Sequence, residues 1–161
     1  MQFPGGKIKN SSGVMIRQMP ASDVPAALSI LEESPEASIW SSESLLNWAS
    51  QGICWTAELD GRVAGILIAR VAADEFEILN LAVGKAQRRR GVATQLVRAA
   101  VESAWIAGAV QSYLEVRASN EGAIALYKQI GFDFSGRRQN YYSNPTEDAV
   151  LLVLHKNGTN S

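Results

Sequence analysis

Three consecutive arginines followed by a glycine separate two apolar segments of this sequence. The run covers residues 87–94 and reads QRRRGVAT, after an apolar run that ends at Val83 and before an amphipathic run that begins near Gly91. A glycine at such a junction lets backbone N–H groups converge, and a helix start offers unpaired donors and the positive end of the helix dipole. With the arginine charges, the run predicts a site for a phosphate or diphosphate. The alternative is a solvated basic turn.

Other familiar catalytic patterns are missing from the sequence. There is no Gly-x-Gly-x-x-Gly after the first predicted strand and no Gly-x-x-x-x-Gly-Lys-Ser/Thr, so dinucleotide and ATP sites are not indicated. The single histidine, His155, lies near the end of the chain, which disfavours a histidine-assisted nucleophile and a zinc site. We expect no metal, and we expect the single cysteine, Cys54, to pack as a small apolar side chain.

Composition indicates one soluble globular domain. The 161 residues are 47% hydrophobic and 19% charged, which is enough apolar material for a sizeable core. The formal charge of -1 gives no whole-chain attraction to nucleic acid or to an anionic membrane. No apolar run approaches the ~20 residues of a membrane span and no signal peptide is evident, so we expect a cytoplasmic protein. The domain is expected over residues 14–155, with 1–13 and 156–161 as flexible ends.

Apolar periodicity predicts a mixed α/β fold. The predicted order is strand 14–19, helix from Ser22 or Asp23 to near Pro35, helix from Ser41 or Ser42 to Ser50, strands 53–59, 62–71 and 75–83, helix 91–107, strand 111–117, helix from Ser119 or Asn120 to Ile130, and strands 132–140 and 148–155. The Asp60-Gly61 dipeptide predicts a tight hairpin between two of these strands. The strand over 75–83 becomes almost wholly apolar, which is typical of a strand buried on both faces at the centre of a sheet.

Two groups of residues resemble a known superfamily. The segments LAV at 81–83 and RRRGVA at 88–93 resemble the Arg/Gln-x-x-Gly-x-Gly/Ala acyl-CoA motif of the Gcn5-related N-acetyltransferases, abbreviated GNAT, with Ala93 at the second glycine position. Further segments are similar to the RimI-like ribosomal-protein-alanine N-acetyltransferases. These are LEVRASN at 114–120, AIALY at 123–127, GF at 131–132, RR at 137–138, NYY at 140–142 and EDA at 147–149.

The resemblance implies a fold and an activity. The fold is the GNAT acyl-CoA N-acyltransferase fold, a mixed sheet of about seven strands flanked by about four helices. Two central strands splay apart beyond a bulge, where a freed backbone N–H polarises the acetyl carbonyl. The implied activity is acetyl transfer from acetyl-CoA to the N-terminal amine of a protein, in family members that of a ribosomal protein with N-terminal alanine.

The same resemblance assigns the cofactor contacts. Leu81 and Val83 would bind the acetyl and pantetheine groups through their backbones, which requires no particular side chain. Asn120 matches a CoA-contacting asparagine, and by position alone it could equally cap a helix. The full set of implied acetyl-CoA contacts is Leu81, Ala82, Val83, Arg88, Arg89, Arg90, Gly91, Val92, Ala93, Thr94 and Asn120.

Two further positions match the catalytic pair of the family. Glu115 matches the general base that must deprotonate the acceptor amine, and a glutamate, with a reference pKa of about 4.3, does this best from an apolar site or through a water. We therefore expect Glu115 to be partly buried, the alternative being a surface glutamate paired with Arg117 or another cation. Tyr127 matches the general acid that protonates the departing thiolate. Its alternative role is core packing on an apolar helix stripe.

Three aromatic residues are the candidates for acceptor binding. Tyr141 and Tyr142 match the substrate-side aromatic segment of the family, and Trp40 is the tryptophan we place nearest the substrate entrance. Because neighbouring strand residues point to opposite faces, at most one of the two tyrosines is expected to line the site.

Other functions remain compatible with these residues. The same fold and cofactor could serve a small-molecule amine, or the chain could be a non-catalytic acyl-CoA-binding module. A nucleic-acid-binding domain would have to rely on one arginine cluster.

Overall fold

The described residues form one mixed sheet flanked by four helices. A computed structural model of the chain describes residues 2–3, 5–9, 13–34 and 37–156; Pro35 and the terminal segment 157–161 lie outside them. The strands are β1 Lys7–Lys9, β2 Met15–Gln18, β3 Cys54–Leu59, β4 Arg62–Ala72, β5 Glu75–Val83, β6 Gln111–Arg117, β7 Asp133–Tyr142 and β8 Glu147–His155. The helices are α1 Val24–Glu32, α2 Ser42–Ser50, α3 Val92–Ile106 and α4 Glu121–Ile130. No helix in this described part is long and apolar enough to cross a membrane.

The sheet has the order β1-β2-β3-β4-β5-β6-β8-β7. The β5–β6 pair is parallel and the other neighbouring strands are antiparallel. A parallel pair needs a crossover, and α3 supplies it. The mixed α/β architecture that the sequence predicts is therefore confirmed.

The described strands number eight, where the resemblance implied about seven. The additional strand, β1, lies within residues 1–13, which we had expected to be a flexible end. It pairs antiparallel with β2, and the nearby Phe3 packs edge-to-face on Trp55 with ring centroids 5.4 Å apart. A three-residue strand is too short to display a hydrophobic period in the sequence.

Helices cover both faces of the sheet. The buried stripe of α3, including Leu96 and Ala100, packs on a cluster that contains Leu67, Phe76 and Leu114. On the opposite face, α1 and α2 pack on a second cluster. Its members include Ala27, Leu31, Leu45, Cys54, Ile66, Ile68 and Ala82. Cys54 is 1% exposed in that cluster, which confirms its expected role as an apolar core residue.

Local turn and capping signals are confirmed at three positions. Asp60 and Gly61 have φ of 54° and 78°, the left-handed pair that a two-residue hairpin requires. Ser41 Oγ accepts a hydrogen bond from the Ser44 N–H at 3.1 Å at the start of α2. Asn120 Oδ1 accepts one from the Ala123 N–H at 3.1 Å at the start of α4.

The predicted cap of α1 is wrong in its chemistry. Asp23 stands at the N-cap position, but within the described residues its side chain makes no capping hydrogen bond. Its carboxylate instead accepts hydrogen bonds from Arg17 at 3.0 and 3.1 Å and from Thr56 Oγ1 at 2.6 Å, and Asp23 is only 6% exposed. A buried carboxylate requires charged and hydrogen-bonded partners, and these partners come from neighbouring strands.

The neighbouring strands β5 and β6 separate at one end. They pair from Glu75 and Gln111 to Ile78 and Leu114, and no further pair joins them in the described chain, although both continue. At the same point β5 carries a bulge, since Ile78 and Asn80 oppose consecutive residues of β4 and Leu79 is the extra residue. The splay implied by the resemblance is therefore present.

This separation corrects one expectation about β5. The strand is central in the sheet, as predicted, but its second half is not buried on both faces. Leu79, Leu81 and Val83 are half-buried, because β6 no longer lies beside them.

Candidate active site

A cleft opens where β5 and β6 separate. Its volume is about 100 Å³. The lining residues are Ile78, Leu79, Asn80 and Leu81 from β5, Leu114, Glu115 and Val116 from β6, Asn120, Ala123 and Tyr127 at the start and along α4, and Ala37. The cleft lies beyond the carboxyl ends of two parallel strands, where open α/β sheets commonly bind ligands. Four predicted site residues meet here: Leu81, Glu115, Asn120 and Tyr127.

Glu115 lies in the cleft because of strand alternation along β6. Its neighbours Leu114 and Val116 are buried in the cluster that packs on α3, so Glu115 points to the opposite face of the sheet. Its side chain is 13% exposed, which confirms the expected partial burial. The Arg138 Nε atom lies 2.6 Å from Glu115 Oε2, although its N–H is not aligned for a hydrogen bond. The alternative role as an ion-pair partner is thus also present, with Arg138 as the cation.

Arg117 does not pair with Glu115. Its guanidinium donates to Glu147 Oε1 at 3.2 Å and to the carbonyls of Ser143 and Pro145, and so holds the β7–β8 hairpin.

Tyr127 combines packing with a position in the cleft. Its ring packs edge-to-face on Phe132 with centroids 5.3 Å apart, and the residue is 4% exposed. On α4 it follows Ala123 by four positions, so both reach the same face of the helix. Burial raises the pKa of Tyr127 above that of a free phenol, because the surrounding apolar groups disfavour the charged phenolate.

The turn before α3 has two residues in the left-handed region. Arg89 has φ of 66° and Gly91 has φ of 78°, and α3 begins immediately after Gly91, which has no side chain to cap it. Backbone turned in this way presents successive N–H groups to one side, as in anion-binding turns. Because β5 leads into this turn, it lies at the same edge of the sheet as the cleft. The structure therefore supports an anion site within reach of the cleft.

The other predicted acetyl-CoA contacts differ in how exposed their side chains are to a ligand. Arg88 and Arg90 are exposed; Arg88 Nε donates to the Val83 carbonyl at 3.2 Å and Arg90 contacts Asp60 at 3.2 Å. Val92 is 1% exposed in the core, so only its backbone could contact a ligand. The side chain of Ala82 is likewise buried, whereas Ala93 and Thr94 are half-buried.

The two adjacent tyrosines do not follow strand alternation. Their rings are in edge-to-face contact with centroids 5.1 Å apart, so the prediction that they point to opposite faces is wrong. Asn140 has φ of 49°, and the β7–β8 register shifts between Arg138 and Tyr142, which disturbs the alternation. Neither ring is among the described residues that line the cleft. The Arg138 guanidinium, which also contacts Glu115, lies 5.4 Å from the Tyr141 ring, and the Arg117 guanidinium lies 4.6 Å from the Tyr142 ring.

Trp40 lies beside the cleft rather than in it. It packs edge-to-face on Trp48, with centroids 5.7 Å apart, and lines a separate cavity of about 290 Å³ that shares Ala37 with the cleft. Its Nε1 is shielded from solvent and has no hydrogen-bond partner in the described part of the chain.

Several residues at this site fall outside the predicted set. Ala37, Ile78, Leu79, Asn80, Leu114, Val116 and Ala123 line the cleft, and Arg138 contacts Glu115. Asn80 could have been noticed as the polar residue within the apolar run ILNLAV. Arg138 belongs to the RR pair of the family resemblance, which assigned it no role, and the position of Ala37 arises from tertiary packing.

Burial of two phenols predicts a loss of stability at alkaline pH. Desolvation, with a smaller contribution from the Glu115 charge, raises the pKa of Tyr142 to about 12, and burial also raises that of Tyr127. The folded state therefore favours the protonated phenols, so their stabilisation is complete below about pH 10 and is lost as the pH rises through about 12. We expect the melting temperature to fall over this range, and to fall less in the Tyr127→Phe/Tyr142→Phe double variant. If circular-dichroism melts showed the melting temperature of the double variant falling as much as that of wild type, this prediction would be wrong.

Comparison with known proteins agrees with the geometry. The model of the acetyltransferase (GNAT) family matches residues 23–132. The chain is 36% identical over 135 residues to the [ribosomal protein bS18]-alanine N-acetyltransferase of Salmonella typhimurium, covering 82% of this chain and 90% of the relative. It is 32% identical over 142 residues to the Escherichia coli K12 enzyme of the same name, covering 86% and 95%. The crystal structure of the ribosomal-protein-S18-alanine N-acetyltransferase from Escherichia coli matches with a TM-score of 0.77 and 31% identity, over 88% of this chain and 93% of that one.

Proposed function

Since the chain belongs to the GNAT family of acetyltransferases, we propose that it transfers acetyl from acetyl-CoA to the N-terminal α-amine of a protein. We propose a ribosomal protein with N-terminal alanine as the acceptor and the cytoplasm as the place of reaction. The names and coverage of the relatives support the acceptor class. The observation that carries the proposal is that Glu115 and Tyr127 line one cleft where β5 and β6 separate.

The residues around Gly91 are suited to a diphosphate. Their backbone turns in the left-handed region at Arg89 and Gly91, the start of α3 has no side-chain cap at Gly91, and three arginines add positive charge. Acetyl-CoA supplies its acetyl group as a thioester, and the backbone of Leu81 and Val83 on the open edge of β5 would hold that end. Asn120 would contact the same molecule while it caps α4.

Glu115 and Tyr127 would move the two protons of the reaction. An α-amine has a reference pKa of about 7.7 to 8.0, so at neutral pH most of it is protonated and requires a base before it can attack. Glu115, largely shielded from solvent and beside Arg138, would take that proton directly or through a water. Tyr127 is a phenol that is protonated at neutral pH, and it would donate that proton to the departing sulfur.

The backbone at Gly91 provides a test of cofactor binding. We expect Gly91→Val to weaken CoA binding by about tenfold or more, since a β-branched residue disfavours φ of 78° and would turn the amides away from the diphosphate. A Cβ at this position would lie 3.5 Å from Gln95 Nε2, so Gly91→Ala meets no steric block but is also strained at φ of 78°, and it should weaken CoA binding less than Gly91→Val does. Titration calorimetry with CoA and thermal melting would be compared. Equal relative losses of affinity and stability, or unchanged affinity, would contradict the assignment.

The acceptor class can be tested with matched substrates. Purified protein and acetyl-CoA would be incubated with an alanine-terminated ribosomal-protein peptide, with the same peptide blocked at its N-terminus, and with polyamines and aminoglycosides. We expect mass spectrometry to find one acetyl group on the free α-amine and none on the blocked peptide. Turnover only with small amines would redirect the proposal to that class, and cofactor binding without any turnover would indicate a binding module.

A further inference from the structure

One buried polar side chain in the cleft has no part in the proton transfers. Asn80 is 7% exposed and follows the bulged residue Leu79 in β5. Its Oδ1 accepts a hydrogen bond from the backbone N–H of Ser38 at 2.9 Å. A buried amide is costly unless it is hydrogen-bonded, so this bond satisfies Asn80 and at the same time joins two distant parts of the chain.

Ser38 belongs to residues 37–40, a described part of the connection between α1 and α2 that is called the α1–α2 segment below. In this segment Ala37 lines the cleft, Ile39 is fully exposed, and Trp40 packs on Trp48. The Asn80 bond therefore ties the segment to the strand that borders the cleft, directly beside the point at which Ala37 forms part of its wall.

The direction in which Glu115 points from the sheet indicates that the acceptor, rather than acetyl-CoA, contacts the wall that Ala37 helps to form. Leu114 and Val116 belong to the cluster under α3, so alternation directs Glu115 to the α1–α2 face. The segment that contains Ala37 connects α1 and α2, which cover this face, whereas the diphosphate site is at the start of α3. An amine that reaches Glu115 therefore approaches along the wall formed by the α1–α2 segment.

We propose that Asn80 is a positioning residue for the acceptor. By holding the Ser38 backbone, it fixes the α1–α2 segment as the wall against which the N-terminal residue of the acceptor lies. This inference rests on the proposed function and extends it to a cleft residue whose described hydrogen bond is to the Ser38 backbone. It makes acceptor binding, rather than cofactor binding or proton transfer, sensitive to Asn80.

The first measurement separates binding of the two substrates. We expect Asn80→Ala to raise the acceptor KM about fivefold to tenfold, the usual effect of losing one hydrogen bond, while kcat and the acetyl-CoA KM stay within about twofold of wild type. Ser38→Pro removes the bonded N–H and should raise the acceptor KM similarly. Ser38→Ala keeps that N–H and should match wild type.

A double-mutant cycle tests whether both changes act through the same bond. Combining Asn80→Ala with Ser38→Pro should raise the acceptor KM no further than either alone. Hydrogen exchange at the Ser38 amide, which requires no activity, should be faster in Asn80→Ala than in wild type. This readout still reports on the bond if Ser38→Pro fails to fold.

Each outcome has a defined meaning. An unchanged acceptor KM in Asn80→Ala, a parallel rise of the acetyl-CoA KM, additive effects in the cycle, or unchanged exchange at Ser38 would overturn the role of Asn80. A wild-type protein that acetylates no N-terminal peptide would refute the proposed function instead.

Discussion

Replacing Glu115 by Gln is expected to lower kcat for an alanine-terminated peptide by about 100- to 1,000-fold, the usual range for loss of a general base. Gln keeps the shape of the side chain but cannot accept the proton of the ammonium group. The acetyl-CoA KM should change little, because the diphosphate turn is formed by other residues. Steady-state kinetics with both substrates varied would measure this.

Two controls separate this role from simpler ones. Glu75→Gln makes the same change on the neighbouring strand, where the carboxylate accepts a hydrogen bond from Gln111 at 3.2 Å outside the cleft, and should leave kcat unchanged. Arg138→Gln removes only the cation beside Glu115 and should lower kcat by less than about tenfold. If Arg138→Gln were as damaging as Glu115→Gln, the ion pair rather than the base would explain the loss.

Replacing Tyr127 by Phe is expected to lower kcat by about 100-fold while the protein remains folded. Phe retains the ring that packs on Phe132 and loses only the hydroxyl, so the proton donor disappears but the packing stays. Peptide acetylation and thermal melting would be measured on the same preparation.

Tyr113→Phe provides the matched control for this change. This change also removes a phenolic hydroxyl, which in Tyr113 donates a hydrogen bond to Glu77 at 3.3 Å, and Tyr113 does not line the cleft. Its kcat should equal that of wild type. A Tyr127→Phe protein with wild-type kcat would leave Tyr127 as a core residue only, the alternative that its helical stripe also allowed.

Local chemistry made several elements predictable from sequence. The bounds of β6 were predicted to the residue, since Leu114 and Val116 alternate with polar neighbours between a glycine turn and a capping asparagine. Asp60-Gly61 predicted its hairpin because few residues adopt the left-handed region that such a turn needs. Ser119 or Asn120 was expected to cap α4 because short polar side chains favour the N-cap, and the structure places Asn120 there.

Features that depend on which strands pair with each other could not be predicted from the sequence. Alternation predicted opposite faces for Tyr141 and Tyr142, but a left-handed residue at Asn140 and a shifted register bring the rings together. Asp23 is at the N-cap position of α1, but its carboxylate accepts hydrogen bonds from Arg17 and Thr56 instead. Both outcomes depend on which strands become neighbours.

The candidate site was partly predictable for the same reason. The motif resemblance selected Glu115, Asn120 and Tyr127, and the structure brings all three to one cleft. It included Arg138 without a role and did not include Asn80, because their partners are 23 and 42 positions away in the chain, respectively.

A crystal structure with a bisubstrate ligand would test the account most directly. In this ligand, CoA is joined covalently to the amine of an alanine-terminated peptide. We expect the diphosphate against the backbone amides around Gly91, the joined nitrogen between Glu115 and Tyr127, and the peptide along the α1–α2 segment. A ligand bound elsewhere, or a joined nitrogen out of reach of both side chains, would contradict the account.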